Sequence, residues 1–300
     1  MYAAKIRDAG LPVAFVAEGT RAEELAVQGV LVNGEPLVLP VVSWEAAAPG
    51  IDPPERIIVA VKHQHLPEVC ARIGTLAGPQ TAVLSVMNGI ESEELLQRAL
   101  DGGRGGVVLP AMVAGMDAVR IRGAERPEVT YTRLGRVFFG GPPETVTQMQ
   151  RFLQQAGIPD TIPPDIQHAI WNKFMLNVAI NQWSAVLRAP YRWFHSEGSG
   201  RNLLRITMRE ILQVAQRRGV PLSEDDLEGW FEVIATLSPE GKTSMLQDIE
   251  AGRKTEVEMF ALKVVEMGRE LGIPTPVNEA LFEAIRTIEG CAVGEPASRN

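Results

Sequence analysis

The sequence predicts an α/β fold in two parts, a doubly wound parallel sheet in the first half and an all-helical domain in the second. Three observations carry this. At 300 residues the chain exceeds what one hydrophobic core usually fills, since cores stop growing at roughly 250 to 300 residues. Short apolar runs rich in β-branched residues alternate with amphipathic segments through the first half. Beyond Pro163-Pro164 the strand pattern stops.

Taken in order, Met1 to Gly10 reads as a helix that leads into the first apolar run, Pro12-Val-Ala-Phe-Val-Ala17. Arg56-Ile-Ile-Val-Ala-Val61 and Thr81-Ala-Val-Leu-Ser-Val86 follow. Near-continuous apolar runs of this length suit strands buried on both faces of a parallel sheet. The segments Arg21 to Gln28, Leu66 to Leu76 and Glu91 to Leu100 are expected to be the crossover helices. A β-rich portion from Gly106 to Gly140, including Glu128 to Thr132 and Arg136 to Phe139, is expected either to extend that sheet or to cover its edge. The domains are expected to span 1–163 and 164–300, because a helix does not pass uninterrupted through a Pro-Pro pair. From Asp165 onward helical stretches are punctuated by Ala189-Pro190, Gly198-Ser-Gly200, Gly219-Val-Pro221, Ser238-Pro-Glu-Gly241 and Gly272-Ile-Pro-Thr-Pro276.

Composition excludes several classes of function. A formal net charge of −8 with scattered Lys and Arg supplies no basic footprint for a nucleic acid or an anionic membrane. The two cysteines, Cys70 and Cys291, are too few for a disulfide framework or a metal quartet. His63, His65, His168 and His195 form no recognisable ligand set, so no metal is expected. With no long apolar run, and with Lys5, Arg7 and Asp8 where a signal peptide would have its apolar core, a cytoplasmic protein is expected.

The most informative stretch is Lys173-Phe-Met-Leu-Asn177-Val-Ala-Ile-Asn181. Residues four apart on a helix share one stripe, drifting by about 40° per step, so one ammonium and two amides point the same way. The remaining residues are too apolar for a free surface helix, so the stripe is expected to face a cleft. A titratable cation beside amide donors suits a small anionic carbonyl compound. The competing expectation is a buried lysine bonded to a carboxylate, with the asparagines bonding backbone carbonyls.

Three further motifs accompany the stripe: Ala60-Val-Lys62 at a strand end, Asn88-Gly89 after the next strand, and the run Ser244-Met-Leu-Gln-Asp-Ile-Glu-Ala-Gly-Arg-Lys-Thr-Glu256 followed by Gly272-Ile-Pro-Thr-Pro-Val-Asn278. Together they resemble the ketopantoate reductase (2-dehydropantoate 2-reductase) family over essentially the whole chain. The resemblance implies a Rossmann-like nucleotide domain, a C-terminal domain like that of 6-phosphogluconate dehydrogenase, and reduction of ketopantoate to pantoate by NADPH on the way to coenzyme A. Hydride reaching a ketone carbon leaves charge on the oxygen, so a proton donor and preorganised hydrogen bonds lower the barrier. By resemblance Lys173 is the general acid, with a pKa pulled toward neutrality, and Glu256 is a carboxylate that orients it or touches the cofactor's ribose side. Asn177, Asn181 and Ser244 are implied to hold the substrate, Asn88 to lie where substrate and cofactor meet, and Lys62 to contact the cofactor. A spare face on the apolar-faced segment Glu258 to Leu271 would suit a homodimer.

The chain departs from the family pattern at several positions. It contains no Gly-x-Gly-x-x-Gly turn, whose backbone would approach a pyrophosphate, and the first, central strand of the nucleotide domain is missing as well. Met1 is therefore expected to be an internal methionine of a longer protein, the alternative being a shortened, non-catalytic paralogue that acts by binding. Glu18 stands where the family often places an arginine for the 2′-phosphate of NADPH, which admits NADH. Arg21 lies close enough in sequence to compensate, and NADPH stays the expected cofactor. Tyr191 sits where some members carry another asparagine for the substrate, and His65 replaces a frequent glutamine, which admits a different 2-oxo acid as substrate.

Overall fold

The computed structural model describes residues 1–44, 52–121 and 127–293, with side chains at 117–121 and 291–293 outside the description; the Cys291 side chain and the polar tail from Glu295 thus lie outside it. The chain forms two compact units, Met1–Ile166 and Gln167–Asn300.

In the first unit, α1 (Tyr2–Asp8) buries Tyr2 and Ile6, four apart on one face, in one core cluster, and Ala4, on the opposite face, in another. It leads to β1 (Phe15–Val16), which α2 (Gly19–Val27) follows. The strands β2 (Val30–Val32) and β3 (Glu35–Leu37) form an antiparallel hairpin. Asn33 and Gly34 turn it with φ of 52° and 81°, the positive pair that a two-residue hairpin needs. This hairpin falls outside the elements expected above, although Asn-Gly between apolar runs is its usual signal.

β4 (Val41–Val42) runs parallel to β1, with Phe15 opposite Val41. β5 (Arg56–Val59), β6 (Ala82–Ser85) and β7 (Val107–Leu109) form a parallel three-stranded sheet. Their crossovers are α3 (Leu66–Leu76) and α4 (Ser92–Asp101). Side chains alternate across the sheet as a pleat requires. Val83 and Val108 pack with Ile73 of α3 and Leu96 and Leu100 of α4. Ala82, Leu84 and Leu109 pack on the other face, with Ile6 of α1 and with Val146, Met149 and Leu153 of α5 (Pro143–Gln155). A sheet covered by helices on both faces is the doubly wound arrangement.

The β-rich portion divides in two. β7 extends the parallel sheet. After it, β8 (Ala111–Ile121) and β9 (Glu128–Phe139) pair antiparallel and build a separate mixed sheet with β2, β3 and β10 (Asp160–Thr161). Pro110 separates the two sheets, and its missing N–H makes it a natural break in a ladder.

The second unit is helical: α6 (Ile166–Leu187), a 3-10 turn at Tyr191–Phe194, α7 (Ser199–Arg217), α8 (Glu224–Thr236), α9 (Ser244–Glu250), a π-helical turn at Glu258–Leu262, α10 (Lys263–Leu271) and α11 (Pro276–Val293). Ser223 and Asp226 cap α8 reciprocally, each side chain bonding the other's backbone N–H at 3.2 and 2.8 Å. α10 ends at Gly272, left-handed with φ 69°, and Pro276 opens α11 at the position where a missing N–H costs nothing.

The Gly-Ile-Pro-Thr-Pro-Val-Asn run is thereby a helix stop and a helix start. Glu210 of α7 secures the start. Its buried carboxylate accepts the backbone N–H of Val277 at 2.8 Å and of Asn278 at 3.0 Å, and the Asn278 side-chain amide at 2.7 Å. A carboxylate at a helix N-terminus is also favoured by the helix dipole.

Candidate active site

α6 buries a long apolar series that includes Trp171, Phe174, Met175, Val178 and Ala179, so the polar residues among them are conspicuous. Two bonds to α8 fix its rotation near the N-terminus. His168 Nε2 lies 3.1 Å from Asp226 Oδ1, and Trp230 Nε1 donates to Asn172 Oδ1 at 2.6 Å. The next residue is Lys173, half-buried on its helix. Burial pulls its ammonium down from the usual lysine range to about 8, while the negative field of Glu256 opposes that fall. Lys173 and Glu256, far apart in sequence, are thus brought within electrostatic reach.

Further along the stripe, Asn181 is buried and Asn177 half-buried. Asn181 Nδ2 donates to the Asn177 backbone carbonyl at 2.9 Å, so the expectation of asparagines bonding backbone carbonyls holds for this one N–H. An amide nitrogen carries two. Asn181 Oδ1 meanwhile accepts the Ser244 hydroxyl at 3.3 Å. Ser244 is not the cap of α9: Thr243 fills that position, its side chain accepting the Leu246 N–H at 3.2 Å. The serine therefore stands in the first helical turn with its hydroxyl directed to α6.

The long motif between Ser244 and Glu256 now has a physical account. Asp248, buried on α9, accepts Arg253 Nε at 2.6 Å, and the same guanidinium bonds the Gln247 carbonyl at 3.2 Å. That closes the turn after α9, where Gly252 has φ 60°. Thr255 then gives both its backbone N–H and its hydroxyl to Glu289 Oε1 of α11, each at 2.7 Å, and its oxygen accepts the Val257 N–H at 3.2 Å. Glu256 is held between this anchor and the π-helical turn. Such turns recur at functional sites because they re-aim the residues around them. Sequence reasoning missed the supporting parts played by Asp248, Arg253, Thr255 and Glu289; the first three carried a signal as members of the run, and Glu289 carried none.

Tyr191 bonds through its backbone N–H to the Gly241 carbonyl at 3.0 Å. Its ring lies so close that a Cβ at Gly241 would meet it at 2.9 Å. The phenol thus packs on the segment that leads into Thr243 and Ser244.

In the first unit, Lys62 follows β5 and Asn88 follows β6, both half-buried at the carboxyl ends of adjacent parallel strands. Gly89 takes φ 95°, a left-handed conformation that lets the backbone turn there. Glu18 follows β1 and pairs with Arg72 of α3. Arg21 is turned toward Glu24 at 3.3 Å. His65 is exposed in a 3-10 turn beside Gln64. Carboxyl strand ends are where open α/β sheets bind ligands. A cation, an amide and a carboxylate there fit the phosphates and ribose hydroxyls of a dinucleotide.

A doubly wound sheet with such strand ends, joined in one chain to a helical unit carrying a lysine of lowered pKa, is an arrangement suited to a nicotinamide-dependent oxidoreductase. Residues 1–141 match the family described as ketopantoate reductase PanE/ApbA, and residues 165–289 match its C-terminal counterpart. The chain belongs to the ketopantoate reductase family, whose members are NAD(P)H-dependent oxidoreductases. It is 28% identical to a 2-dehydropantoate 2-reductase of Mesorhizobium japonicum over 316 aligned positions, covering 96% of this chain and 95% of the relative. A ketopantoate reductase of this family from Ralstonia eutropha superposes with a TM-score of 0.80 at 23% identity, over 98% of this chain and 95% of that one. The ternary structure of D-mandelate dehydrogenase with NADH and anilino(oxo)acetate gives 0.79 at 19% identity, over 98% and 96%. At these identities the structural likenesses speak for the fold alone. Among the described residues no helix is long and apolar enough to cross a membrane.

Proposed function

We propose that this protein reduces a small 2-oxo acid to its 2-hydroxy acid, with ketopantoate (2-dehydropantoate) the substrate that family membership favours. The cofactor supplies hydride to the carbonyl carbon when bound. Lys173 gives a proton to the carbonyl oxygen as charge develops there. The observation that carries this reading is the placement of Lys173 on one stripe of α6 with Asn177 and Asn181, the latter bonded to Ser244, where burial lowers its pKa to about 8 against the opposing field of Glu256. An acid is most useful when its pKa lies near the working pH. Burial favours the neutral amine left after transfer, and the carboxylate keeps the ammonium loaded beforehand.

Asn177, Asn181 and Ser244 bind the substrate's carboxylate and hydroxyl groups, and the Ser244–Asn181 bond fixes the orientation of both. Lys62 and Asn88 hold the dinucleotide at the strand ends. Steady-state assay of the protein with ketopantoate and either nicotinamide cofactor tests the reading. Measurable turnover that Lys173→Ala removes supports it, and full turnover by that variant sinks it.

A second reading, reduction of a different 2-oxo acid, is favoured by Tyr191, which packs beside the segment carrying Ser244. A bulky ring where some family members carry an amide trades a hydrogen bond for apolar surface. Comparing kcat/KM for ketopantoate with unbranched and aromatic 2-oxo acids separates the two.

A further inference from the structure

Glu18 and Arg72 form an ion pair that the reading above leaves without a task. Glu18 stands directly after β1 at the N-cap position of α2, yet its carboxylate caps nothing. It turns instead to a guanidinium on α3, 54 positions along the chain. The two side chains are 34% and 42% exposed, so the pair contributes little to stability.

Its location is more telling. α3 approaches the same corner a second time, where Thr75 Oγ1 lies 3.2 Å from the carbonyl oxygen of Trp44, its one proton shared with the nearer carbonyl of Arg72 at 2.8 Å. Trp44 follows β4, the parallel neighbour of β1. The carboxyl ends of β1 and β4 and the later turns of α3 therefore meet at one place. β1 and β4 form a two-stranded parallel sheet of their own; at the carboxyl end of a parallel strand in a nucleotide-binding domain an acid accepts hydrogen bonds from a ribose, whereas a 2′-phosphate calls for a cation. Among the described residues, the guanidinium of Arg72 is engaged by Glu18 and that of Arg21, in the first turn of α2, by Glu24. A phosphate dianion arriving here would face the Glu18 carboxylate and would have to pull a guanidinium from an acid. A ribose hydroxyl would find an acceptor with lone pairs to spare.

We propose that Glu18, positioned by Arg72, selects a ribose with a free 2′-hydroxyl, so that this protein binds NADH in preference to NADPH. The proposal rests on the reductase reading and reverses the preference that the family resemblance implies. Glu18 is the group that touches the cofactor, and Arg72 is a positioning residue that holds the carboxylate in place.

Binding without substrate tests it, followed by titrating the protein with NADH and with NADPH and measuring each Kd by calorimetry. NADH is expected to bind at least about tenfold more tightly, the scale of one hydrogen bond to a charged group. Glu18→Arg should reverse the order. Arg72→Met should narrow the NADH to NADPH ratio with no change in melting temperature, and Arg72→Lys should restore most of it. NADPH binding as tightly as NADH, or more tightly, overturns the proposal and leaves the reductase reading standing. Failure of both cofactors to bind at millimolar concentration overturns both.

Discussion

The Ser244 hydroxyl donates to Asn181 Oδ1 at 3.3 Å across 63 positions of sequence. This bond joins the start of α9 to the polar stripe of α6, so the two most specific motifs of the chain meet at one point. Ser244→Ala should raise KM for the 2-oxo acid by up to about tenfold, the worth of about one hydrogen bond, with a smaller effect on kcat. Equal loss in kcat and kcat/KM would instead place the serine in the transition state.

Lys173→Ala should lower kcat by about two to four orders of magnitude, the usual share of a general acid, while the Kd of the cofactor changes little. Stopped-flow binding and steady-state turnover on one preparation separate these effects.

The same lysine sets a pH dependence. In wild type, kcat/KM should fall as pH rises through about 8, where the Lys173 ammonium loses its proton. Glu256 raises that pKa, so Glu256→Gln should let it drop and move the alkaline limb to lower pH. A limb that stays in place, or moves upward, would remove Glu256 from the electrostatics of the acid.

Stability should oppose activity at this position. The folded-state pKa of Lys173 is lowered from 10.5 to about 8, so between those values the unfolded chain binds more protons and stability rises with pH. Below about 8 the charged form carries the full penalty of burial. Lys173→Met should therefore be inactive yet more stable than wild type at pH 7, with the gap closing toward pH 10.5. Denaturant melts at several pH values check this.

Glu210→Ala should destabilise the helical unit by about 3 kcal/mol, because it strips the acceptor from the first N–H groups of α11 and from the buried Asn278 amide. Loss of less than about 1 kcal/mol in a chemical melt would mean that other acceptors take over.

Much of this was legible in the sequence for identifiable reasons. The β5 and β6 runs could be read because strands covered on both faces are apolar throughout. The Lys173, Asn177 and Asn181 stripe could be read because polar residues four apart stand out in a helix that is otherwise apolar. Local rules fail where partners are distant. Nothing near Thr255 announces Glu289, nothing near Asn278 announces Glu210, and Glu18 gives no hint of Arg72. The separate sheet of β8 and β9 was illegible for a related reason: strand character is local, but choice of partner is settled by tertiary packing.

The π-helical turn at Glu258–Leu262 has a consequence for the length of the chain as well as for its chemistry. Such a turn accommodates one residue more than the surrounding α-helix, and one residue corresponds to about 100° of rotation. Removing any single residue from it would let the ordinary ladder close, and Glu256 would swing by that angle relative to α10 with its own side chain unaltered. The carboxylate's aim is thus encoded by a count of residues, and deletions in this turn should be tolerated far less well than substitutions of the same letters.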